Sequence, residues 1–346
     1  MQKKPKVKEK DDQIHEEENK KNEKVANDHE MNKNNRLKET IKSIQNIEEM
    51  KEYIPINDIF IGGTHGTILH CRHKDNGSKI VLKKFEDHDR ENGHDVHVLR
   101  EVSALQFFKK NTNPNIIYMF DIFSIKNEVV ISLEYMQGSL GKRMKEGSIL
   151  FDTALSYKYQ LASGLSHCHS FNIMHRDIKP DNLLVNDYPL LKICDFGLAK
   201  RYETYKNSHT VEACTMWYRP IELFLENKYY NEKVDIWSMA CVFWELDNQG
   251  IHFSAGVSAL DCFKEIVFKL GLPTSQNYPK LPKNIEIYEK TMSDFKYTSA
   301  HDRSHIYLQN KLYKLMFNYD FRKRPSALEV CEKLRDSEYH PQSSPV

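Results

Sequence analysis

A change of periodicity near residue 140 constrains the fold of this chain more than any other feature of its sequence. Before this point, Gly and Asp-Asn-Gly turns separate short runs rich in β-branched and aromatic residues, which predicts antiparallel hairpins: YIPINDIF, TILHCRH and SKIVLKKF. One helical run, HDVHVLREVSALQFFKK, follows them, and beyond residue 140 most apolar residues recur at helical spacing. The pattern predicts an α+β fold, with a small β-rich lobe, a larger helical lobe and a ligand site in the cleft between them.

The sequence separates into one domain and two tails. We expect the domain to span residues 53–340, with the small lobe at about 53–136 and the large lobe at about 137–340. Residues 1–35 are almost wholly Lys, Glu, Asn and Asp. Such a composition cannot bury enough apolar area to offset its ordering entropy, so it predicts disorder. A short tail follows at 341–346.

An apolar stripe ends the N-terminal tail, residues 1–52. Apolar residues recur there at steps of three and four, which predicts one apolar face of an amphipathic helix: Leu37, Ile41, Ile44, Ile47 and Met50. Packing of this helix on the following domain is the favoured interpretation. Binding of a partner protein is the alternative.

Composition narrows the classes of partner. Since 50 basic and 49 acidic residues leave a formal net charge of +1, charge gives no argument for nucleic acid or a membrane as a partner. The scattered cysteines include no CxxC pair, which is typical of a reducing intracellular compartment, here the nucleus or the cytoplasm. We interpret the HCH run at 167–169 as packing, because adjacent residues of a helix do not share a face.

The run HRDIKPDN, from His175 to Asn182, carries the clearest chemical signal. Asp177 can accept a hydrogen bond from an attacking hydroxyl group, and Lys179 can steady a phosphoryl group in transit. The DFG run that starts at Asp195 adds a second acidic residue. Asn182 and Asp195 offer the hard oxygen ligands that Mg²⁺ prefers.

An upstream lysine and glutamate complete this set. The run IVLK ends a strand at Lys83, whose ammonium group can pair with nucleotide phosphates. Glu101 lies on the next helix and can hold Lys83 in place through an ion pair. The run FIGGTHG at 60–66 precedes this lysine at a spacing that suits a loop covering the phosphates.

In this order and at these separations, the three runs IVLK, HRDIKPDN and DFG resemble the eukaryotic protein kinase superfamily over about residues 53–340. Lys179, close after Asp177, resembles the serine/threonine kinases. Three further runs look like the cyclin-dependent kinase group: CTMWYRPIELFL, KVDIWSMACVFWEL and DCFKEIVFKLGLPT. The resemblance implies a bilobal kinase fold that uses ATP and Mg²⁺ to phosphorylate proteins in cell-cycle or transcription control.

The resemblance also implies a nucleotide pocket. The glycine loop, the strand of Lys83 and the segment linking the lobes would contact ATP, and backbone groups of Glu134 and Met136 would meet the adenine edge. The expected ATP-binding residues are Ile61, Gly62, Gly63, Thr64, His65, Gly66, Thr67, Ile68, Val81, Lys83, Glu134 and Met136.

Regulation is implied in the same way. Thr210 occupies the activation-segment position that an upstream activating kinase phosphorylates in the cyclin-dependent kinases, although an ordinary exposed hydroxyl is the alternative. The family's basic phosphate-binding positions are held by Arg100, Arg176 and Lys200, where a phosphate would gain charge-assisted hydrogen bonds and order the segment. Arg219 would support a pocket for the proline that follows the acceptor in Ser/Thr-Pro substrates.

Three further residues are expected to support the structure. By resemblance, Glu222 and Arg324 form a buried ion pair that ties the activation segment to the large lobe. Asp235 braces the backbone of the HRDIKPDN loop.

The chain departs from the family pattern in several places. Ile61 replaces the first glycine of the loop, which predicts a changed affinity for ATP. His65 stands where many cell-cycle kinases carry an inhibitory tyrosine, and Ile221 replaces a proline. The run DVHVLRE keeps only the final Arg-Glu of the helix that contacts cyclin, so a cyclin-like regulatory subunit is a candidate partner.

Two other functions are alternatives to an active kinase. The first is a pseudokinase-type scaffold, which would have the same fold without efficient transfer. Such scaffolds typically lose part of a set that is complete here: Lys83, Glu101, Asp177, Asn182 and Asp195. The second, a dinucleotide-binding oxidoreductase, is disfavoured because no helix is predicted after Gly66.

Overall fold

The computed structural model describes residues 52–60, 66–85, 96–125, 128–202, 209, 214–274, 276–278 and 310–336. The predictions of an N-terminal disordered segment and amphipathic helix, and of a tail at 341–346, lie outside these residues. So do several of the predicted site residues: Ile61, Gly62, Gly63, Thr64, His65 and Thr210.

The chain divides into two compact units, Met1–Asp87 with Asp121–Tyr135, and His88–Phe120 with Met136–Val346. A five-stranded sheet forms the first unit, in the order β1-β2-β3-β5-β4, and β1, β2, β3 and β5 pair antiparallel. Its strands are β1 (Tyr53–Phe60), β2 (Thr67–His73), β3 (Lys79–Lys84), β4 (Met119–Ile125) and β5 (Glu128–Glu134).

The predicted Asp-Asn-Gly turn sets the register of the β2–β3 hairpin. Gly77 adopts a φ of 66°, a region that glycine enters without steric cost, and its amide donates to the His73 carbonyl at 2.8 Å. The Ser78 amide donates to the Asn76 side chain at 2.9 Å. Alternate residues of the strands then face a common core: Tyr53, Leu69, Cys71, Ile80, Leu82 and Val130.

The second unit is mainly helical, as the sequence predicts. Its helices are α1 (Val96–Lys110), α2 (Leu140–Glu146), α3 (Phe151–Ser170), α4 (Ile221–Phe224), α5 (Lys233–Asp247), α6 (Ala259–Leu270), α7 (Lys311–Met316) and α8 (Ala327–Asp336). Short strands lie between them: β6 (Gly138–Ser139), β7 (Ile173–Met174), β8 (Leu183–Val185), β9 (Leu191–Ile193) and β10 (Lys200–Arg201).

Helix α5 is the centre of the second unit. Apolar residues occur all round it, so it is buried rather than amphipathic, and Trp237 at its middle is fully buried. The Trp237 ring packs edge-on against Phe317 at 5.0 Å between centroids. Helix α5 thereby provides a rigid base for the loops that pack against it.

Helix α1 contacts the DFG segment. The His97 ring Nδ1 lies 3.1 Å from the Gly197 carbonyl, and the Phe108 and Phe196 rings are 5.3 Å apart. Periodicity predicts the helix and its buried face but contains no information about which residues that face covers.

Two further observations describe the chain. All seven cysteines are free thiols. Among the helices in the described part of the chain, none combines the length and apolar character that crossing a membrane requires.

Candidate active site

The HRDIKPDN loop lies between β7 and β8 and is positioned by the β8–β9 hairpin. Leu183 pairs with Ile193 in this hairpin, and the Cys194 amide donates to the Asn182 carbonyl at 3.0 Å. Asn182 and Asp195 therefore flank the same end of the hairpin. Residues that are separate in the sequence are brought together by local strand pairing.

Donors surround both carboxylate oxygens of Asp177. Oδ1 accepts hydrogen bonds from the Thr215 amide at 3.1 Å and from the Thr215 hydroxyl at 2.7 Å. Oδ2 accepts a hydrogen bond from Asn182 Nδ2 and forms an ion pair with Lys179 Nζ, each at 2.9 Å. The structure thus brings the predicted residues Asp177, Lys179 and Asn182 into direct contact.

This environment keeps Asp177 ionised. Burial alone would raise its pKa, but the charge of Lys179 and the hydrogen bonds from Lys179 and Thr215 outweigh burial, so the pKa is lowered. A carboxylate that stays charged at neutral pH can only accept hydrogen bonds. Asp177 is therefore equipped to orient a hydroxyl group that approaches it.

Thr215 is a site residue that sequence reasoning missed. Its hydroxyl donates to Asp177 at 2.7 Å and accepts from Lys179 Nζ at 2.9 Å. The three side chains form a closed triangle of polar contacts. No local signal predicts it, because Thr215 and Asp177 are far apart in sequence.

A buried aspartate on α5 fixes the start of the loop. Asp235 accepts from the His175 amide at 2.8 Å and the Arg176 amide at 2.7 Å. His169 Nε2 lies 2.9 Å from the same carboxylate. Burial alone would raise the pKa of Asp235. The hydrogen bond and charge of His169 are the largest contributions in the opposite direction, and the pKa is lowered.

The HCH run at 167–169 thus contributes to loop support. His169 contacts Asp235, the His167 ring lies 2.8 Å from the Asn111 carbonyl, and Cys168 is buried. In the part of the chain that the structure describes, no group of three or more His, Cys, Asp or Glu residues could hold a metal ion.

His175 links the loop to the DFG segment. Its Nδ1 accepts from the Asp177 amide at 3.2 Å, so the neutral ring carries its proton on Nε2, which lies 3.0 Å from the Cys194 carbonyl. The His175 ring also packs against Phe196 at 4.9 Å. The position of Asp177 is therefore coupled to the residues on either side of Asp195.

Backbone strain occurs at two residues of the site. Arg176 has a φ of 68° and Asp195 a φ of 62°, values that residues other than glycine seldom adopt. Arg176 is held by the bond from its amide to Asp235 and by the bond from its Nε to the Leu198 carbonyl at 2.7 Å. Such strain persists only where surrounding contacts determine the conformation, and it is common at functional sites.

The donor set at the end of the β8–β9 hairpin suits Mg²⁺. Asn182 Nδ2 donates to the carbonyl and the carboxylate of Asp177, which leaves the amide oxygen as the ligand atom. Asp195 supplies a carboxylate. A carboxylate and an amide oxygen form a hard donor set that Mg²⁺ binds, usually completed by phosphates and water.

The basic positions Arg100, Arg176 and Lys200, hereafter the basic cluster, influence one another electrostatically. Burial, Arg176 and Arg100 together lower the pKa of Lys200. His209, a buried residue next to Thr210, lies in the same field: burial, Lys200 and Arg176 lower its pKa to about 4. Its ring packs 4.9 Å from Tyr230, whose hydroxyl lies 3.2 Å from Arg176 Nη1.

His209 was also missed by sequence reasoning. Among the residues that the structure describes, its Nδ1 has no hydrogen-bond partner. The lowered pKa of His209 has burial as its largest cause, followed by the cationic side chains of Lys200 and Arg176.

Glu222 and Arg324 form a fully buried bidentate ion pair with distances of 2.7 and 2.6 Å. The guanidinium also donates to the Lys233 carbonyl at 3.0 Å and the Asn318 carbonyl at 2.8 Å. The pair connects α4 to the first residue of α5 and to the segment before α8. A buried ion pair with its remaining donors satisfied fixes geometry more than it adds stability.

The remaining predicted nucleotide residues lie on the first unit's sheet or in the second unit. On the sheet, Ile68 pairs with Lys83, Val81 with Leu133, and Ile80 with Glu134; Lys83 and Thr67 are buried. Gly66 has a φ of 119°, and a Cβ there would overlap the Lys84 carbonyl oxygen, so this position requires glycine. Glu101, on α1, and Met136 are buried in the second unit.

A comparison with models of protein families adds an independent finding. The model described as the protein kinase domain matches residues 56–334, which is well over half of the chain.

Proposed function

This chain belongs to the protein kinase family, and we propose that it transfers the γ-phosphoryl group of ATP to serine and threonine side chains of proteins. The observation that carries the proposal is the environment of Asp177. Its charged carboxylate is contacted by Lys179, Asn182 and Thr215, at distances between 2.7 and 3.1 Å.

In this proposal Asp177 accepts a hydrogen bond from the substrate hydroxyl and aims its oxygen at the γ-phosphorus. Lys179 is held between Asp177 and Thr215, so its ammonium can shift its contact to the phosphoryl oxygens as charge develops on them. Asn182 keeps the Asp177 carboxylate from rotating. Most of the rate would come from such positioning and charge stabilisation.

Asn182 and Asp195 would bind Mg²⁺, which, when bound, neutralises the phosphate oxygens and orients ATP for in-line transfer. Lys83 would pair with the phosphates and Glu101 would hold Lys83. Gly66, Thr67, Ile68, Val81, Glu134 and Met136 would line the remainder of the nucleotide pocket.

We further propose a cyclin-dependent-like enzyme that prefers Ser/Thr-Pro sites. Arg219 donates to the Cys214 carbonyl at 3.1 Å and lies 5.7 Å from the centroid of the Phe224 ring, so both contacts hold its guanidinium in place. A cyclin-like subunit is the proposed partner, and cell-cycle or transcription control is the proposed role. The proposed compartment is a reducing one, the nucleus or the cytoplasm, because the sequence has scattered cysteines and no CxxC pair.

Phosphorylation of Thr210 by an upstream kinase is the proposed switch. A dianionic phosphate beside the basic cluster would pair with cations that now repel one another. Arg176 belongs to this cluster and directly precedes Asp177, so the ordering of the segment would be transmitted to the carboxylate.

The experiment compares the wild-type chain with Asp177→Asn on peptides that contain one Ser, Thr or Tyr acceptor, followed by Pro or by Ala. We expect transfer to Ser and Thr, best before Pro, and a loss of about 10²- to 10⁴-fold in the variant, since it removes the group that orients the hydroxyl. The variant should keep the far-UV circular dichroism of the wild type.

Asp75→Asn is the matched control, because Asp75 lies exposed in the β2–β3 turn. It should behave as wild type. The wild-type chain should also be tested with a phosphate on Thr210 and with its partner present. Absence of any transfer under these conditions would favour the pseudokinase-type scaffold. Equal activity of wild type and Asp177→Asn would remove Asp177 from the mechanism.

A further inference from the structure

Side chains of the HRDIKPDN loop hold two of the backbone carbonyls that flank Asp195. The Cys194 carbonyl lies 3.0 Å from His175 Nε2. The Leu198 carbonyl accepts a hydrogen bond from Arg176 Nε at 2.7 Å. Because hydrogen bonds are directional, these two contacts fix the backbone of the DFG segment against the loop.

Helix α1 contacts a third carbonyl of this segment, that of Gly197. The oxygen lies 3.1 Å from Nδ1 of His97, a half-buried residue in the first turn of α1. Since a carbonyl oxygen can only accept, the proton of this hydrogen bond belongs to the His97 ring. The DFG segment is therefore bonded to α1 as well as to the HRDIKPDN loop.

Gly197 links His97 to the carboxylate of Asp195. The Gly197 amide donates to Asp195 Oδ1 at 3.4 Å, and its carbonyl is the acceptor for His97. A Cβ on Gly197 would lie 3.3 Å from Asp195 Oδ1 and 3.7 Å from the His97 Cβ, so its backbone is close to both residues. Asp195 has a φ of 62°, a conformation that depends on such surrounding contacts.

A second contact between α1 and the DFG segment is apolar. The Phe108 and Phe196 rings lie 5.3 Å apart between centroids. Phe108 follows His97 by eleven residues, which is about 16 Å along a helix. Ring packing of this kind tolerates rotation, whereas the hydrogen bond from His97 sets the direction of one particular carbonyl.

We infer that His97 is a positioning residue, which transmits the position of α1 to the Asp195 carboxylate through Gly197. It acts on the backbone of the DFG segment and does not touch the substrate. The inference rests on the proposed function, in which Asp195 is a ligand of Mg²⁺. It adds a residue through which a regulatory subunit on α1 would act on the candidate active site.

Hydrogen–deuterium exchange of the full chain, followed by mass spectrometry, tests this role. His97→Phe keeps an aromatic ring without a donor, whereas His97→Asn places an NH group the same number of bonds from the backbone. We expect amide exchange over residues 195–199 to rise by about 2- to 10-fold in His97→Phe, the effect of losing one hydrogen bond, and to stay near wild type in His97→Asn. Exchange in α5 should stay unchanged.

Steady-state kinetics on a Ser/Thr peptide provides a second readout. In His97→Phe, kcat should fall by a similar factor while KM for the peptide stays the same, because His97 does not contact the peptide. Gln106→Leu is the matched control, since Gln106 is an exposed residue of the same helix. If His97→Phe does not fold, His97→Ala removes the donor without a large ring and takes its place.

The exchange measurement requires no phosphoryl transfer, so the two proposals fail separately. Unchanged exchange over residues 195–199 in the variant that lacks the donor would overturn this inference alone. An equal rise in His97→Asn or in Gln106→Leu would also overturn it, because both variants keep a donor at position 97. Absence of transfer by the wild-type chain would reject the proposed function, and the role of His97 in catalysis with it.

Discussion

The Asp177 carboxylate and the basic cluster lie in the same unit but differ in how their charge is balanced. Asp177 is surrounded by donors, and its pKa is lowered because its negative charge is stabilised. In the cluster, burial first and then neighbouring cations lower the pKa of Lys200 and of His209. The comparison shows one group whose charge its neighbours stabilise and one cluster whose like charges disfavour protonation, which is why we propose the cluster as the site for a phosphate.

Arg176 connects these two regions. Its backbone amide is bonded to Asp235, which supports the catalytic loop, while its side chain belongs to the basic cluster. Its φ of 68° makes the local conformation dependent on both sets of contacts. A change of charge in the cluster therefore acts one residue away from Asp177.

The largest effect is expected from Asp235→Asn, which removes a buried acceptor that holds the loop of Asp177. The carboxamide has one acceptor oxygen and would direct an NH₂ group towards the buried donors of His175, Arg176 or His169. We expect the free energy of unfolding to fall by about 3 kcal/mol, measured by urea denaturation, with a parallel loss of activity.

Asp336→Asn is the control for this substitution, because Asp336 ends α8 with its side chain 75% exposed. A change of less than about 0.5 kcal/mol is expected there. If Asp235→Asn were as stable as wild type, the loop would not depend on this buried acceptor.

A smaller effect on activity is expected from a phosphate on Thr210, which would pair with the basic cluster. The phosphorylated chain should exceed the unmodified chain in kcat/KM by about 5- to 150-fold, the usual range of a coupling between two sites. Arg100→Gln should remove most of this gain, because it takes away a cation of the cluster. The measurement is steady-state kinetics on chains whose Thr210 occupancy is known by mass spectrometry.

Arg335→Gln removes one positive charge, as Arg100→Gln does, but outside the basic cluster. It should keep the rise in kcat/KM that phosphorylation of Thr210 causes. The switch would be ruled out if Thr210→Ala, which cannot be phosphorylated there, were as active as the phosphorylated wild type.

Local pattern predicted the elements of the fold well. Helical spacing over 152–170 and 327–336 corresponds to α3 (Phe151–Ser170) and α8 (Ala327–Asp336), and the Asp-Asn-Gly turn joins β2 and β3. These features depend on residues close in sequence, so periodicity and turn chemistry are sufficient to find them. The contact of α1 with the DFG segment was not predicted, because it depends on which distant residues meet its buried face.

The site was predictable only where its residues lie close together in sequence. Asp177, Lys179 and Asn182 belong to one run, and the hairpin that brings Asp195 beside them is short. Thr215 and His209 escaped notice because their importance arises from distant contacts with Asp177 and with the charges of the basic cluster. Neither a threonine nor a histidine within a polar segment signals such contacts.

The titration of His209 tests the central proposal, that the basic cluster binds a phosphate on Thr210. NMR should give a pKa of about 4 in the unmodified chain, well below the usual value of about 6.5. Because the unfolded chain then takes up this proton at higher pH, the residue lowers stability as pH falls from about 6.5 towards 4. Loss of the resonance in His209→Gln assigns the signal.

After phosphorylation of Thr210, the dianion should offset Lys200 and Arg176, and the His209 pKa should rise by more than one unit. A pKa near 6.5 in the unmodified chain, or a low pKa that phosphorylation leaves unchanged, would contradict the account.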